Sequence, residues 1–442
     1  MPSWWCENAW LPPGRVAARV LVTVTDGRIT GIEEGVDPPP TAQRLTGLVI
    51  PGLANVHSHA FHRALRGRTQ AGRGDFWSWR EQMYAVANRL DPENYLALAR
   101  ATYAEMALAG ITCVGEFHYV HHQPGGVPYS DPNAMGAALI EAAAQVGVRL
   151  TLLDACYLAG GIGEPLLPVQ ERFSDGDAAG WAARVSWLHG STPHVRIGAA
   201  IHSVRAVPAD QLGEVADWAR KRAVPLHFHL SEQRAENDAC IGRYGVTPTR
   251  LLADSGALGA MAVAVHATRV TAEDIGLLAS SSTGVCLCPT TERDLADGIG
   301  PAGALAAAGV ALSVGSDGQS VIDLFEEARG IELDERLATY SRGTFTAGAL
   351  LDSMTVAGHR ALGWPDAGQL AVGERADLVA VDLASRRTAG GGATAESVVF
   401  AATASDVTDV VIDGNVVVKD REHVRLGDIG AALQSAIDAV IR

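Results

Sequence analysis

The stretch Gly52-Leu-Ala-Asn-Val-His-Ser-His59 decides how the rest of the chain is interpreted. It follows the apolar run at residues 48–51, which is typical of a buried strand bounded by proline and glycine. Successive side chains of a strand point to opposite faces. We therefore predict that His57 and His59 face one side and Val56 the other. Two imidazoles on one face at a strand end are a natural pair of metal ligands.

The middle of the chain alternates apolar segments with alanine-rich helical stretches, a pattern that predicts βα units and a parallel sheet. Eight strands are predicted, at residues 48–55, 111–117, 149–155, 195–201, 224–230, 261–265, 285–288 and 311–315. Eight such units indicate an α/β fold of the (β/α)8 TIM-barrel type. In that fold the chemistry lies at the carboxyl ends of the strands.

The two ends of the chain differ from its middle because they are rich in short strands joined by turns. Asp26-Gly27 and Asp413-Gly414 both lie between alternating apolar runs, which is a strong hairpin signal. We expect one small β-sandwich domain built from both termini, residues 1–51 and 366–442. The metal-dependent barrel domain would then occupy residues 52–365.

Five of the eight predicted strands end in a polar side chain that, by strand alternation, faces the barrel interior. These side chains are His57 and His59, His202, His229, His266 and Asp317. A single histidine at a strand end is usually a hydrogen-bonded structural residue, but this conjunction is hard to explain that way. His227 has the parity of His229 and is expected one layer deeper. Glu232 follows the fifth strand, where it would reach a metal-bound water unless it is a solvated loop charge or a helix N-terminal acid.

The inward-facing set predicts one divalent metal ion. Three imidazoles and one carboxylate match the preference of zinc, with iron as a possible substitute. A second ion would need a bridging ligand such as a carboxylated lysine on the fourth strand. The two lysines, Lys221 and Lys419, lie elsewhere. Cys286 and Cys288 also face inward on the seventh strand and are interpreted as small core side chains.

Composition and charge exclude several kinds of partner. A formal net charge of −15 argues against nucleic acid, whose phosphates need a basic surface. No apolar run is long enough to cross a bilayer, and the first residues do not resemble a signal peptide. The six cysteines show no disulfide framework, which suits a reducing compartment. We therefore expect a cytoplasmic protein with no membrane partner.

The residues His57-x-His59, His229, His266 and Asp317 on successive predicted strands resemble the amidohydrolase superfamily, in particular its mononuclear deaminase branch. Motifs at residues 374–382 and 411–418 resemble the small β-domain of that superfamily, so the resemblance covers nearly the whole chain. It implies the barrel with a terminal β-domain that the strand pattern also predicts. It implies a homodimer as well, and nothing else in the sequence does.

A narrower resemblance is to the formimidoylglutamate deiminase family of bacterial histidine degradation. It rests on residues 51–67, Phe76-Trp-Ser-Trp-Arg80 and Gly115-Glu-Phe-His-Tyr-Val-His121. The implied reaction converts N-formimidoyl-L-glutamate and water to N-formyl-L-glutamate and ammonia. The substrate is a small molecule with two carboxylates, so the pocket needs cations, and arginine can bind a carboxylate through two parallel hydrogen bonds.

This resemblance implies a role for each residue of the site. The implied metal ligands are His57, His59, His229 and Asp317. The implied substrate-binding residues are His62, Arg80, Tyr119, His202 and Arg205. The implied catalytic residues are Glu232 as proton shuttle, His266 as the group that orients water, and Asp317 as acceptor of the first proton. Without the resemblance, Arg80 and Arg205 could equally be surface or ion-pair arginines.

Two positions depart from the family's motifs. His62 stands where the family has glutamine, so substrate binding is expected to survive with an altered pH dependence. Gln319 follows Asp317-Gly318 where many relatives have histidine, and it is expected to lie behind the ligands. Both changes bear on fine specificity.

Two other functions are weighed against this one. A related deaminase or hydrolase could act on a nucleobase, an adenosine derivative or a chlorinated triazine. Arg80 and Arg205 disfavour that reading, because a neutral aromatic base does not need two cations. A metal-binding or regulatory barrel without catalysis is disfavoured by Glu232 and His266, because a structural zinc site is closed by four ligands and needs no acid or base beside it.

Overall fold

Two eight-stranded sheets organise the chain in the computed structural model, which describes residues 2–71, 74, 76–188 and 192–442. The strands in the described residues are β1 (Ser3–Leu11), β2 (Arg15–Thr25), β3 (Arg28–Glu33), β4 (Gln43–Pro51), β5 (Leu53–Ser58), β6 (Ile111–His118), β7 (Arg149–Cys156), β8 (Val195–Ile201), β9 (Leu226–Leu230), β10 (Ala262–His266), β11 (Gly284–Leu287), β12 (Leu312–Val314), β13 (Leu378–Val381), β14 (Val407–Ile412), β15 (Asn415–Lys419) and β16 (Glu422–His423).

Helices follow most strands of the middle region, as the alternating pattern predicts. The α-helices in the described residues are α1 (Phe76–Ala87), α2 (Pro92–Leu108), α3 (Ala134–Val146), α4 (Ala178–Val185), α5 (Ala209–Arg222), α6 (Arg234–Tyr244), α7 (Pro248–Asp254), α8 (Ala272–Ser280), α9 (Pro289–Asp294), α10 (Ala302–Ala307), α11 (Leu324–Thr339), α12 (Ala347–Ser353), α13 (Val356–Ala361), α14 (Ala395–Ala401) and α15 (Ile429–Ile441). Short 3₁₀ helices span Ala60–Leu65, Pro168–Phe173 and Ala404–Asp406. Among the described helices, none combines the length and the apolar character required to cross a membrane.

Strands β5 to β12 form the predicted TIM barrel. They are all parallel and each pairs with its neighbour in chain order. The barrel closes where β5 meets the end of β12, through a parallel bridge between Ser58 and Asp317. There the Asp317 amide donates to the His57 carbonyl at 2.9 Å, and the Asn55 side-chain amide donates to Ser316 Oγ at 2.7 Å. Closure therefore joins the two strands that carry three of the predicted metal ligands.

The predicted first barrel strand at residues 48–55 is in fact divided between the two sheets. Its first part belongs to β4 in the terminal sheet, and the barrel strand β5 begins only at Leu53. The chain passes between the sheets at Gly52. A Cβ atom at Gly52 would lie 2.3 Å from Thr112 Oγ1 and 2.8 Å from Asp377 Cβ. Only glycine fits this crossing, because both sheets are in contact there.

The prediction that Val56 faces away from the barrel interior is wrong. Val56 belongs to the apolar cluster inside the barrel. Asn55 pairs with Val114 and Ser58 with Glu116, so β5 advances three residues (58 − 55) where β6 advances two (116 − 114). A bulge of this kind adds a residue to one strand and interrupts the alternation of its side chains. Val56 and His57 consequently both face inward.

The terminal sheet has the strand order β16-β15-β14-β13-β4-β1-β2-β3, and both chain ends contribute to it. The sheet curls until its two halves face each other: the Ile29 amide donates to the Glu374 carbonyl, and a Cβ at Gly414 would lie 2.9 Å from Val24 Cγ1. Its enclosed apolar cluster includes Trp4 and residues of β2, β4 and β13. The small domain built from both termini is confirmed, while its boundaries at 51/52 and 365/366 stay a prediction.

The lower end of the barrel is closed by side chains and by the small domain. Trp364 lies in the interior apolar cluster, and its Nε1 donates to Thr151 Oγ1 at 3.0 Å. Arg149, fully buried at the start of β7, pairs with Asp377 and reaches Asp413 Oδ2 at 3.1 Å. Since this end is filled, access to the barrel interior is from the carboxyl ends of the strands.

Candidate metal centre and catalytic pocket

A cavity of about 200 Å³ lies at the carboxyl ends of the barrel strands. Ten of the eleven predicted site residues line it: His59, His62, Arg80, Tyr119, His202, Arg205, His229, Glu232, His266 and Asp317. The eleventh, His57, is fully buried beside His59, with ring centroids 4.7 Å apart. The structure thus brings together all of the site residues predicted from the sequence.

The four predicted metal ligands form one cluster. One donor atom from each of His57, His59, His229 and Asp317 lies within 4.8 Å of the others, and all four residues are buried. His57 Nε2 is 3.1 Å from His229 Nε2 and 3.3 Å from Asp317 Oδ1. His59 Nε2 is 3.5 Å from the same oxygen. Three imidazole nitrogens and one carboxylate oxygen therefore converge on one small space.

The hydrogen bonds behind these rings fit a cation between them. His59 Nδ1 donates to the Phe117 carbonyl at 2.9 Å, and His229 Nδ1 donates to the His202 carbonyl at 2.7 Å. Those bonds fix the tautomers, so the Nε2 lone pairs point at the shared space. Burial lowers the pKa of both His59 and His229 well below its ordinary value, which keeps the rings neutral, as ligands must be. The site is therefore suited to a metal ion.

Close packing of β5 against the end of β12 sets the ligand positions. A Cβ at Gly315 would lie 2.8 Å from the amide nitrogen, carbonyl oxygen and Cβ of His57. Behind the ligands, Gln319 Nε2 donates to Ser58 Oγ at 2.9 Å, and Ser316 Oγ donates to Gln319 Oε1 at 2.8 Å. Gln319 thus joins the two ligand-bearing strands from outside the pocket, on the side where the sequence places it.

His266 reaches the pocket by a different route from the predicted one. Strand alternation does not turn it inward, because Val263 and Val265 are the β10 residues of the interior cluster. The backbone of His266 is left-handed, with φ 71°, and that of Ala267 also, with φ 51°. Such conformations are uncommon outside glycine and cluster at functional sites. The turn, and not the strand's parity, directs the ring into the cavity.

Three carboxylates surround the His266 ring. Its Nε2 is 3.9 Å from Glu232 Oε1 and 3.7 Å from Asp317 Oδ2, while its Nδ1 is 3.3 Å from Glu292 Oε1. Burial alone would lower the pKa of His266, but Glu232 and then the other two carboxylates outweigh it and raise the pKa to about 10. In this arrangement the ring is cationic: Nδ1 donates a hydrogen bond to Glu292, and the Nε2–H group faces the other two carboxylates from beyond hydrogen-bond distance.

Two acidic residues of the site are not singled out by the sequence patterns. Glu292, in α9, also accepts from the Cys288 amide at 2.9 Å, which fixes its carboxylate under His266. Glu236, in α6, accepts from the Ser231 amide at 3.0 Å. Each lies four residues beyond a strand-end residue, Cys288 or Glu232, and that spacing is the signal that could have found them.

The predicted arginines lie in the pocket, and one of them is already paired. Arg205 Nη2 donates to Glu232 Oε2 at 3.0 Å, and Arg205 Nε lies 3.3 Å from Glu236 Oε2. The ion-pair reading of Arg205 is therefore correct alongside its place in the cavity. Arg80, on α1, has its guanidinium 4.4 Å from the centroid of the Trp77 ring. Two cations accordingly lie within one cavity.

His62 and Tyr119 form the wall beside His59. Their polar atoms, His62 Nε2 and Tyr119 Oη, are 3.2 Å apart, and the rings of His62 and His59 have centroids 4.5 Å apart. Burial lowers the pKa of His62 to about 3. The expected change in pH dependence stays a prediction; with its pKa this low, the ring itself loses no proton near neutral pH. His202 lies opposite, with its ring centroid 5.4 Å from that of Tyr119.

Comparison with known proteins gives a consistent picture. The model of the amidohydrolase family matches residues 48–417. A formimidoylglutamate deiminase from Pseudomonas aeruginosa is 35% identical over 441 residues, covering 96% of each chain. A 5-methylthioadenosine/S-adenosylhomocysteine deaminase from Natronomonas pharaonis is 30% identical, covering 95% of this chain and 92% of its own. The crystal structure of an amidohydrolase from Brucella melitensis superposes with a TM-score of 0.91 at 32% identity over the whole of both chains.

Proposed function

The chain belongs to the amidohydrolase family, and from this premise we propose that it is a deiminase that hydrolyses N-formimidoyl-L-glutamate to N-formyl-L-glutamate and ammonia. The observation that carries the proposal is that Arg80 and Arg205 share one cavity with the metal-ligand cluster and the Glu232–His266 pair. Such a pocket suits a substrate with carboxylates at one end and a hydrolysable C–N bond at the other. The P. aeruginosa relative, which is named formimidoylglutamate deiminase, supports this choice of substrate.

Substrate carboxylates would be bound by the two arginines with help from Tyr119 and His202. Arg205 presents several N–H donors in a fixed fork, so it can keep its bond to Glu232 while it donates to a substrate oxygen. Arg80 stacks on Trp77, which orients its guanidinium. Because His62 is neutral, it contributes a hydrogen bond and not a charge.

The reacting amidine carbon would lie against the metal-ligand cluster. His57, His59, His229 and Asp317 would hold a divalent cation, which when bound would supply Lewis acidity and lower the pKa of the attacking water toward neutrality. The donor set favours zinc. One cation is proposed, as the sequence predicts.

The chain's own acids and bases would then move the protons. Asp317 Oδ2, which faces His266, accepts the first proton of the attacking water. Glu232 protonates the imino nitrogen and then delivers a second proton to the departing ammonia. The two protons that water loses, one through Asp317 and one from the tetrahedral hydroxyl, restore the proton of Glu232 and the free carboxylate of Asp317. His266, cationic between its carboxylates, donates a hydrogen bond to the oxygen that becomes negative at the tetrahedral stage. The amidine C–N bond breaks as the formyl C=O bond forms.

The charges of the pocket also argue against the nearest alternative. The N. pharaonis relative is named for deaminating 5-methylthioadenosine and S-adenosylhomocysteine. A neutral base would offer no anion to the Arg80 guanidinium, which forms no ion pair with a carboxylate in the described part of the chain.

Ammonia release from zinc-loaded protein tests the proposal. Formimidoylglutamate should be turned over, and mass spectrometry should identify N-formylglutamate. An N-formimidoyl alkylamine that lacks both carboxylates is the matched control substrate. Its kcat/KM should be lower by roughly 10²-fold or more, since hydrogen bonds to charged groups contribute about 1.5–3 kcal/mol each. Equal turnover of both substrates, or turnover of 5-methylthioadenosine alone, would refute the assignment.

A further inference from the structure

We propose that Cys288, His266 and Asp317 form a second cation site, beside the first and selective for thiophilic divalent metals such as Cd²⁺ or excess Zn²⁺. One donor atom from each of the three residues lies within 4.8 Å of the others, and all three are buried. The set combines sulfur, nitrogen and oxygen donors. Zinc and cadmium accept such a mixture, whereas magnesium and calcium require oxygen ligands.

Asp317 can serve both sites without moving because its two oxygens face different neighbours. Oδ1 is 3.3 Å from His57 Nε2 and 3.5 Å from His59 Nε2, in the first cluster. Oδ2 is 3.7 Å from His266 Nε2, on the other side. A carboxylate oriented in this way is a ready bridge between two cations.

The charges around His266 also favour a second cation. Glu232, Glu292 and Asp317 each approach this ring within 4 Å, at 3.9, 3.3 and 3.7 Å. These three carboxylates face an imidazolium before a second cation binds, and they would face a divalent cation once it displaced the proton of the ring. Glu232 Oε1 lies on the same Nε2 side of the ring as Asp317 Oδ2, outside the donor cluster, and adds negative charge beside it.

Cys288 supplies the thiol of this site, and His266 and Asp317 connect the site to the cavity. Cys288 follows β11 directly and belongs to the interior cluster of the barrel. His266 and Asp317 line the cavity, so a cation can arrive from there. All six cysteines are buried, and none is available at the surface to compete for the metal. Cys286, two residues earlier, faces the same interior and contacts the Cys288 thiol, but it is not part of the donor cluster, so Cys286→Ala separates the ligand from its neighbour.

Occupancy of this site would block the proposed reaction. The second cation would take the His266 nitrogen and the second Asp317 oxygen, and the displaced thiol and imidazolium protons would pass to water. Turnover should then fall by roughly 10²-fold, the usual contribution of a positioned acid or base. This consequence rests on the proposed function, but the site itself does not.

The test is a cadmium titration of the zinc-loaded protein. Total metal per chain, measured by mass spectrometry after desalting, should rise from one equivalent to two. An ultraviolet cadmium–thiolate charge-transfer band should appear with the second equivalent, because the first cluster contains no cysteine. Cys288→Ala should retain one equivalent and give no band. Cys286→Ala should behave as the unsubstituted protein does.

Two results would overturn the proposal. One is a single equivalent of metal and no thiolate band in the unsubstituted protein, a measurement that does not depend on how any variant folds. The other is a band that survives in Cys288→Ala. If two equivalents bind with the band but no formimidoylglutamate is hydrolysed at any cadmium level, the second site stands and the proposed function fails.

Discussion

At the scale of single residues, the pocket depends on backbone irregularities and not on strand regularity. His57 faces inward because of the bulge in β5, and His266 because its backbone is left-handed. Asp317 is left-handed as well, with φ 39°. Each departure has a local energetic cost that the surrounding structure offsets. In exchange, ligands and catalytic groups from different strands meet in one space.

Glu232→Gln is the sharpest change at this scale. The amide keeps the shape of the side chain but can neither release nor accept a proton as the carboxylate does. Turnover of formimidoylglutamate should fall by about 10²–10⁴-fold. Metal content should be unchanged, because Glu232 lies outside the ligand cluster. Steady-state kinetics with metal analysis measure both, and near-normal turnover would exclude the proton shuttle.

His62→Gln tests whether this histidine acts by charge or by hydrogen bonding. Burial lowers the pKa of His62 to about 3, so the ring stays neutral as pH rises from 5 to 8. The pH profile of kcat/KM should therefore keep its shape in the variant over that range. If the unsubstituted protein shows an apparent pKa between 5 and 8 in kcat/KM and the variant does not, His62 is protonated in the working enzyme.

At the scale of elements, the approach of β5 to the end of β12 assembles the metal cluster. His57 and His59 come from the first strand and Asp317 from the last, so barrel closure is itself the step that joins them. β9 contributes His229 from across the barrel. A change in the spacing of β5 and β12 should therefore lower metal affinity more than it lowers the stability of the fold.

Gly315→Ala makes that change in spacing. The new methyl group would lie 2.8 Å from His57 backbone atoms, so β5 must shift and carry its ligand with it. Metal affinity should fall by roughly 10–100-fold, as is typical when the support of a ligand is disturbed. Competition with a chelator measures the affinity. Gly276→Ala, where nothing lies within 4 Å of the added atom, is the control and should bind metal normally.

At the scale of the whole molecule, the barrel and the terminal sheet are joined by buried charges. Arg149 of β7 is fully buried and pairs with Asp377 and Asp413, which flank β13 and β14. The C-terminal helix α15 adds Leu433, Ile437 and Val440 to the main core. The buried ion pairs thus anchor the small domain at the end of the barrel opposite the pocket, while α15 packs against α2 and the Ala60–Leu65 3₁₀ helix.

Arg149→Met should destabilise this junction. The substitution leaves two aspartates without their buried cation, and breaking a buried pair in this way costs about 3–5 kcal/mol. The midpoint of urea unfolding should fall accordingly. Arg15→Met, which breaks the exposed pair with Glu34, is the control and should leave the midpoint unchanged. If both variants unfold at the same urea concentration, the buried pair does not hold the domains together.

Much of this architecture could be predicted from the sequence. Apolar strands alternating with alanine-rich segments predict the barrel, and the histidines and aspartate at the strand ends predict the metal cluster. Strand ends of a parallel barrel meet at one face, so sequence position alone implies spatial proximity there. Gly52 shows the limit of that reasoning: the apolar run before it reads as one strand with β5, although the two parts lie in different sheets.

Residue order alone therefore predicts the fold class, the small domain built from both termini and most residues of the candidate site. The folded chain is needed to show how the His57 and His266 rings reach the pocket, that Arg205 is hydrogen-bonded to Glu232, and that Glu292 and Cys288 adjoin His266. Periodicity is a local property that a chain displays in its residue order. Bulges, left-handed turns and ion pairs between distant strands are settled by packing, where every element constrains the others.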